Sequence, residues 1–213
     1  RDGSGGVTEF PDGTCGPTMS TSEGSSGYTH SGGEEVFYTD GRTVYYPNGD
    51  VMATNFKGDP SSSSSAIIVK SVNPLTPDYY YMFNVSGTSG GSLSQKVHYS
   101  IFDFSDPLNA TVVLKDKALS DGVLTEKITV IPKTGAVGYW VLIPGAGVNG
   151  NSVILTYDLS TAFNETPVQI NEIGINTSTT AGWMQANPQG TQITVIAAGH
   201  VHLLDFDAAD GKV

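Results

Sequence analysis

The chain has 213 residues, a formal net charge of −11 and a sequence pI of about 4.5. Charged residues are only 15%, glycine numbers 26, and serine with threonine makes up about a fifth. That balance suits short strands joined by tight turns rather than helical bundles, which favour Ala, Glu, Lys and Leu, and an acidic surface with no Lys/Arg cluster argues against nucleic acid and anionic lipid as partners.

Along the chain, no window carries an i, i+3, i+4, i+7 apolar pattern over three turns. Short apolar or alternating runs between turn residues predict strands instead. They fall at 35–39, 43–46, 66–69, 79–85, 96–104, 111–114, 127–131, 138–143, 152–159, 168–173, 182–186, 192–198 and 201–206. The fold class this predicts is all-β, built from antiparallel four-stranded repeats in the manner of a β-propeller of the WD40 or YVTN type, and incomplete.

The repeat shows as strands that close on an aspartate: Asp40, Asp103, Asp158 and Asp205, separated by 63, 55 and 47 residues. Four-stranded blades run about 40–50 residues, so the later intervals fit and the first requires an inserted loop, which 56–65 can supply. About four blades are expected, at 1–60, 61–110, 111–165 and 166–213. In the last, Asn187-Pro188-Gln189-Gly190 reads as a turn, because Pro fixes φ and Gly accepts positive φ. Asp210-Gly211 reads as a turn toward a further strand. The chain starts at Arg1 and stops soon after that turn, so it reads as a fragment of a longer chain.

A family resemblance rests on Thr21-Ser22-Glu23-Gly24, the stretch from Val36 to Tyr45, Ser64-Ser65-Ala66-Ile67-Ile68-Val69-Lys70, Tyr80-Tyr81-Met82-Phe83-Asn84-Val85 and His98-Tyr99-Ser100-Ile101. Glu126-Lys127-Ile128-Thr129-Val130, Gly138-Tyr139-Trp140-Val141 and the unit from Gly182 to Asp207 extend it. In these segments the chain resembles the propeller-like N-terminal region of secreted Bacteroidetes surface proteins, which end in type IX secretion sorting or gliding-motility-associated C-terminal domains. The resemblance implies an extracellular or cell-surface location and a propeller architecture. It implies no catalytic residues.

Several strings match chemical motifs. Gly145-Ala146-Gly147-Val148-Asn149-Gly150 fits the dinucleotide-binding glycine pattern, but residues 152–157 just downstream are strand-like, and the motif needs a helix N-terminus to face the pyrophosphate. Gly87-Thr88-Ser89-Gly90-Gly91 fits a nucleophile elbow, yet it too leads into a strand rather than a helix. Both read as hairpin loops. His200 and His202 share one strand face but need a third ligand to hold a metal; His30 and His98 have no spacing that recommends them. Asp205, Asp207 and Asp210 with Gly211 form a weak calcium candidate, one residue out of register and without a downstream bidentate Glu. Glu34 and Glu35 would face opposite sides of a strand, unlike a glycosidase pair. Trp140, Trp183 and Tyr79-Tyr80-Tyr81 are candidates for a sugar-stacking platform or for rings that fill the wedges between blades. N-x-S/T strings occur at Asn84, Asn109, Asn164 and Asn176, close to the number chance gives. The single cysteine, Cys15, excludes an internal disulfide and any multi-cysteine zinc site. No run of eighteen apolar residues exists, so no membrane-inserted helix is expected, and no signal peptide is visible.

These readings predict a non-enzymatic extracellular or cell-surface structural or adhesion domain with no cofactor. One alternative is a carbohydrate-binding or carbohydrate-active propeller; another is a subunit of an extracellular filament or virion fibre. The expected partners are further blades of the same chain, neighbouring protein subunits or glycans. The funnel discriminates between the readings: converging carboxylates or histidines favour an enzyme, whereas Gly, Ser and aliphatic residues favour a binder.

Overall fold

The structure is a computed structural model, and it describes residues 19, 21–86, 97–119, 126–146, 152–175, 181–197 and 199–213. Among them there is no helix, so none long and apolar enough to cross a membrane. The strands form four small antiparallel sheets arranged like a four-blade β-propeller. Sheet one is β1 (Ser26–Thr29), β2 (Glu35–Thr39), β3 (Val44–Tyr45) and β4 (Val51–Ala53); sheet two is β5 (Ala66–Lys70), β6 (Tyr79–Val85), β7 (Val97–Asp103) and β8 (Thr111–Ala118). Sheet three is β9 (Thr129–Pro132), β10 (Tyr139–Ala146), β11 (Ser152–Leu159) and β12 (Gln169–Glu172). Sheet four is β13 (Met184–Ala186), β14 (Gln192–Ala197) and β15 (His200–Asp205). Every sheet is a meander in chain order, and the first strands β1, β5, β9 and β13 lie next to one another in sequence around the axis.

Local chemistry sets the hairpins. Asp40 Oδ1 accepts from the amides of Arg42 and Thr43 at 2.8 and 2.7 Å, so a side chain closes the turn between β2 and β3. Asn187 Oδ1 does the same for the amides of Thr191 and Gln192 at 2.8 and 3.1 Å, and the Gly190 amide bonds the Asn187 carbonyl. The Asn-Pro-Gln-Gly turn is where the sequence places it.

Packing explains the two strand patterns. Strand β6 is buried along nearly all its length because both of its faces are covered. Tyr80 and Met82 pack with Phe37, Phe102 and Phe104 against sheet one, while Tyr81, Phe83 and Val85 pack with Val141, Ile143 and Tyr157 against sheet three. Strand β10 divides likewise: Val141 and Ile143 face sheet two, Trp140 and Leu142 face sheet four. Strand β14 alternates, because Ile193, Val195 and Ala197 face sheet three and the intervening residues face outward. Burying one such aromatic or aliphatic side chain contributes about 1.5–3 kcal/mol. Among the described residues, three apolar clusters thus join sheets one to two, two to three and three to four, and no such cluster joins sheet four to sheet one.

The structure corrects the phasing of the repeat. Asp103, Asp158 and Asp205 lie on the third strands of their sheets, but Asp40 follows a second strand. The long first interval is therefore one strand out of phase. The second and third blade limits also move. Strand β8 pairs with β7 and β12 pairs with β11, so residues 111–118 close sheet two and 169–172 close sheet three. Residues 56–65 are the connection from sheet one to sheet two, and Phe56 is buried in the core between them. Strands β1 and β4 are additional to those read from sequence; Ser-Gly-Tyr-Thr and Val-Met-Ala are too short for periodicity to register. The turn at Asp210-Gly211 folds back rather than leading outward. The Gly211 amide bonds the Asp207 carbonyl at 2.7 Å, and Gly211 lies against Trp140 and Thr156.

Candidate functional site at the hub and its cleft

The segments that lead into the four first strands converge at one end of the axis, and polar groups latch them. Thr21 Oγ1 donates to the Pro60 carbonyl at 2.8 Å, and the Ser22 and Glu23 amides reach the same oxygen at 3.1 and 3.2 Å. The buried Glu126 carboxylate accepts from Ser63 N and Oγ at 3.0 and 3.1 Å. Ser63 Oγ lies 3.4 Å from the Glu23 carboxylate and accepts from the Gly182 amide at 3.3 Å. Lys127 is wholly buried and donates to the Ala181 carbonyl at 2.9 Å. Desolvation pushes the Lys127 ammonium down to about 8, and the neighbouring Glu126 charge opposes that shift. Gly182 is required here: its φ is +134°, and a Cβ would lie 2.2 Å from the Ile196 carbonyl oxygen and 2.7 Å from Lys127 Cε. The hub therefore joins all four sheets through buried and part-buried hydrogen bonds. Its carboxylates, hydroxyl and ammonium are directed at the lead-in segments of neighbouring sheets, which makes the hub a structural latch.

Above the hub opens a cleft of about 720 Å³, walled by the first strands and floored by Ser63 and Ser64. That volume falls in the usual range of small-molecule sites, about 300–1,000 Å³. Its walls carry Ser25, Ser26 and Tyr28 from sheet one, Ile67 and Val69 from sheet two, and Val130 and Tyr139 from sheet three. Sheet four contributes Trp183 and Gln185. No Asp, Glu, His or Cys is among the described lining residues. The charged groups on the described wall are two lysines, both engaged. Lys133 Nζ sits 2.6 Å from Asp158 and 4.0 Å over the Trp140 ring, and Lys70 Nζ is 3.9 Å from Asp78.

The two tryptophans have different fates. Trp140 is a core residue whose Nε1 donates to the Ala208 carbonyl at 2.8 Å. Trp183 is 52% exposed and stands where the cleft meets a second cavity of about 300 Å³. That cavity runs over the outward face of sheet four, past Thr194, Ile196 and Leu203. Tyr80 and Tyr81 are buried, and Tyr79 is half-buried at the start of β6. Burial pushes the Tyr80 hydroxyl up to about 12, and the Tyr28 and Asp78 charges add to the rise.

Of the other sequence candidates, His30, Glu34 and Glu35 line a separate cavity of about 710 Å³ together with Asp50 and Asp78, and the rest are dispersed. Asp205 Oδ1 meets Gln192 Nε2 at 3.3 Å, Asp207 Oδ1 accepts from the Ala209 amide at 2.9 Å, and Asp210 Oδ2 pairs with Lys212 Nζ at 2.9 Å. The calcium candidate is not assembled: among the described residues no three His, Cys, Asp or Glu side chains are placed to hold a metal. His200 and His202 share the sheet-three-facing side of β15, their rings 6.1 Å apart. Glu34 precedes β2 and Glu35 begins it; burial raises the Glu35 carboxyl above its ordinary value. Asn84 is buried within β6, whereas Asn109 and Asn164 sit in exposed turns. Cys15, Asn176, the 87–91 string and residues 147–150 of the glycine string lie outside the described residues. The described part, Gly145 and Ala146, is in strand β10.

Sequence reading missed the Ser63–Glu126–Lys127 latch. Its one available signal was a charged pair, Glu126-Lys127, set directly before an apolar strand. The role of Ser63 depends on a partner 63 residues away. The fold and the hub together define a class: an all-β, propeller-like repeat domain with an axial cleft that presents no Asp, Glu, His or Cys among its described lining residues. No protein-family model matches the chain, and neither a curated protein nor a solved structure matches it.

Proposed function

We propose that this chain is a non-enzymatic recognition domain, acting extracellularly or at a cell surface in adhesion or display, with the axial cleft as its binding site. The observation that carries the reading is the lining of that cleft. Hydroxyls, carboxamides, aliphatic side chains and an exposed indole converge there, and the wall holds no Asp, Glu, His or Cys among the described residues. Carboxylate, imidazole and thiol groups are the usual bases that activate a serine or tyrosine hydroxyl, and the lysines of this wall face Asp158 and Asp78. A mixed apolar and hydrogen-bonding wall is instead what orients a bound molecule. The resemblance to secreted Bacteroidetes surface proteins supports the location, and the net charge of −11 suits a role away from polyanions.

The test uses the protein coated on beads, scored for retention on cell-surface and extracellular-matrix preparations, together with a panel of glycosidase, esterase and peptidase substrates. Retention that falls when the cleft is altered, with no turnover, is the expected result. Turnover of any substrate abolished by a cleft substitution overturns the reading, as does retention indifferent to the cleft.

A further inference from the structure

The cleft shows more than a lack of acidic groups among its described lining residues. Gln185 is exposed on β13, and its carboxamide makes no hydrogen bond among the described residues. The hydroxyls of Ser26, Tyr28 and Tyr139 are likewise without a hydrogen-bond partner among the described residues, although all three face the same space. Tyr28 and Tyr139 come from opposite sides of it, on β1 and β10, and are near enough to influence each other electrostatically. The Trp183 indole N–H also makes no hydrogen bond among the described residues, and its ring is the most exposed aromatic face on the cleft wall.

A flat apolar ring beside a planar amide and several neutral hydroxyls complements one ligand chemistry. A pyranose presents an apolar face of C–H groups and an equatorial girdle of hydroxyls, each both donor and acceptor. The ring takes the apolar face, and the amide and hydroxyls take the girdle. For a polyanion the described wall offers two lysines, each beside a carboxylate: Lys133 is held by Asp158 at 2.6 Å, and Lys70 faces Asp78 at 3.9 Å. A basic peptide finds no Asp or Glu among the described lining residues. The two cavities meet at Trp183 and Gln185, so a ligand can run from the axis across the outward face of sheet four. That continuity suits a chain of several sugar units rather than a monosaccharide.

We infer that the cleft binds a neutral oligosaccharide chain, with Trp183 as the stacking platform and Gln185 as the principal hydrogen-bonding side chain. The inference rests on the cleft being the recognition site, and names its ligand class.

The experiment titrates the whole protein with neutral oligomers: the hexamers of β-1,4-glucose, β-1,4-N-acetylglucosamine and α-mannose. Polygalacturonate, heparin and an uncharged Gly/Ser-rich peptide serve as contrasting probes. Tryptophan fluorescence and calorimetry read the binding. At least one neutral hexamer is expected to saturate and to change the emission of the exposed indole. Trp183→Ala lowers that affinity about tenfold or more, and Gln185→Ala several-fold, each tenfold corresponding to about 1.4 kcal/mol. Trp183→Phe retains part of it, whereas Val137→Ser, at an exposed site off the cleft, changes nothing. Circular dichroism checks each variant; if Trp183→Ala fails to fold, Trp183→Phe and Gln185→Ala carry the test. No hexamer binding, binding of only the polyanions or the peptide, or hexamer binding untouched by the cleft variants overturns the inference. Cleft-dependent bead retention that survives periodate but not protease treatment of the target sinks the saccharide assignment while leaving the recognition role standing. Enzymatic turnover sinks the recognition role itself.

Discussion

Gly182→Ala tests whether the hub is as close-packed as its geometry states. The new Cβ would lie 2.2 Å from the Ile196 carbonyl oxygen, so the two segments must part by roughly 0.8 Å or more even to reach the tightest tolerated contact. That oxygen belongs to β14, whose Ile196 amide bonds the Trp183 carbonyl at 2.8 Å, and the separation lengthens this bond beyond useful range. Three costs add: about 1–3 kcal/mol for alanine in a glycine-only backbone region, about 1–3 for overpacking and about 0.5–1.5 for the bond. A loss of about 2.5–7.5 kcal/mol is a large part of the 5–15 kcal/mol typical of a folded domain. The matched control is Gly33→Ala, at φ +89° with open space around it, which incurs the backbone cost alone. Urea unfolding followed by fluorescence, with m-values compared, separates the two variants. A Gly182→Ala loss within about 1 kcal/mol of the Gly33→Ala loss would refute the argument from close packing.

Stability should also depend on pH through Lys127. Its folded value lies near 8 and its ordinary value is 10.5, so between these the unfolded chain holds more protons and stability rises with pH. The gain is at most about 3 kcal/mol, and Lys127→Met removes it; a flat profile from pH 8 to 10 in urea titrations contradicts the assignment. Above pH 10 the direction reverses, because burial holds the Tyr80 and Tyr99 hydroxyls above their ordinary value and the unfolded chain ionises first. Glu126→Ala leaves the Ser63 amide and hydroxyl without their acceptor and costs about 1–3 kcal/mol. Glu126→Gln keeps an acceptor oxygen and should recover most of that loss; equal losses in thermal melts would mean charge, not hydrogen bonding, holds the hub. Phe37→Ala empties a site 0% exposed whose ring meets Tyr80, Phe102 and Phe104 at 4.9–5.6 Å, and should cost about 3–5 kcal/mol by chemical denaturation. A loss below 1 kcal/mol would show that sheets one and two do not depend on that cluster.

The strands were legible in the amino-acid sequence because a strand covered on both faces must be apolar along most of its length, as at 79–85, where Asn84 is the exception, and a strand covered on one face must alternate, as at 192–197. The turn at Asn187-Pro188-Gln189-Gly190 was legible because it closes its hairpin with local bonds. These are short-range demands, satisfied within a few residues. The phase of the repeat was not local. Asp40 resembles Asp103, Asp158 and Asp205 in its neighbours, but the strand it follows is set by which strands pair, and β1 and β4 are too short to announce themselves. Trp140 and Trp183 show the same division. Both stand shortly after a glycine and lead into apolar residues, and nothing near either states its fate. One meets Lys133 and Ala208 and closes a core; the other stands at the mouth of the cleft, because no described residue covers the outward face of sheet four beside it. Composition and periodicity determined an all-β chain of repeated meanders. Only the tertiary structure decided which lead-in segments meet at the axis, and with them the buried Ser63–Glu126–Lys127 latch and the cleft above it, since those groups are remote in sequence and acquire their chemistry from burial together.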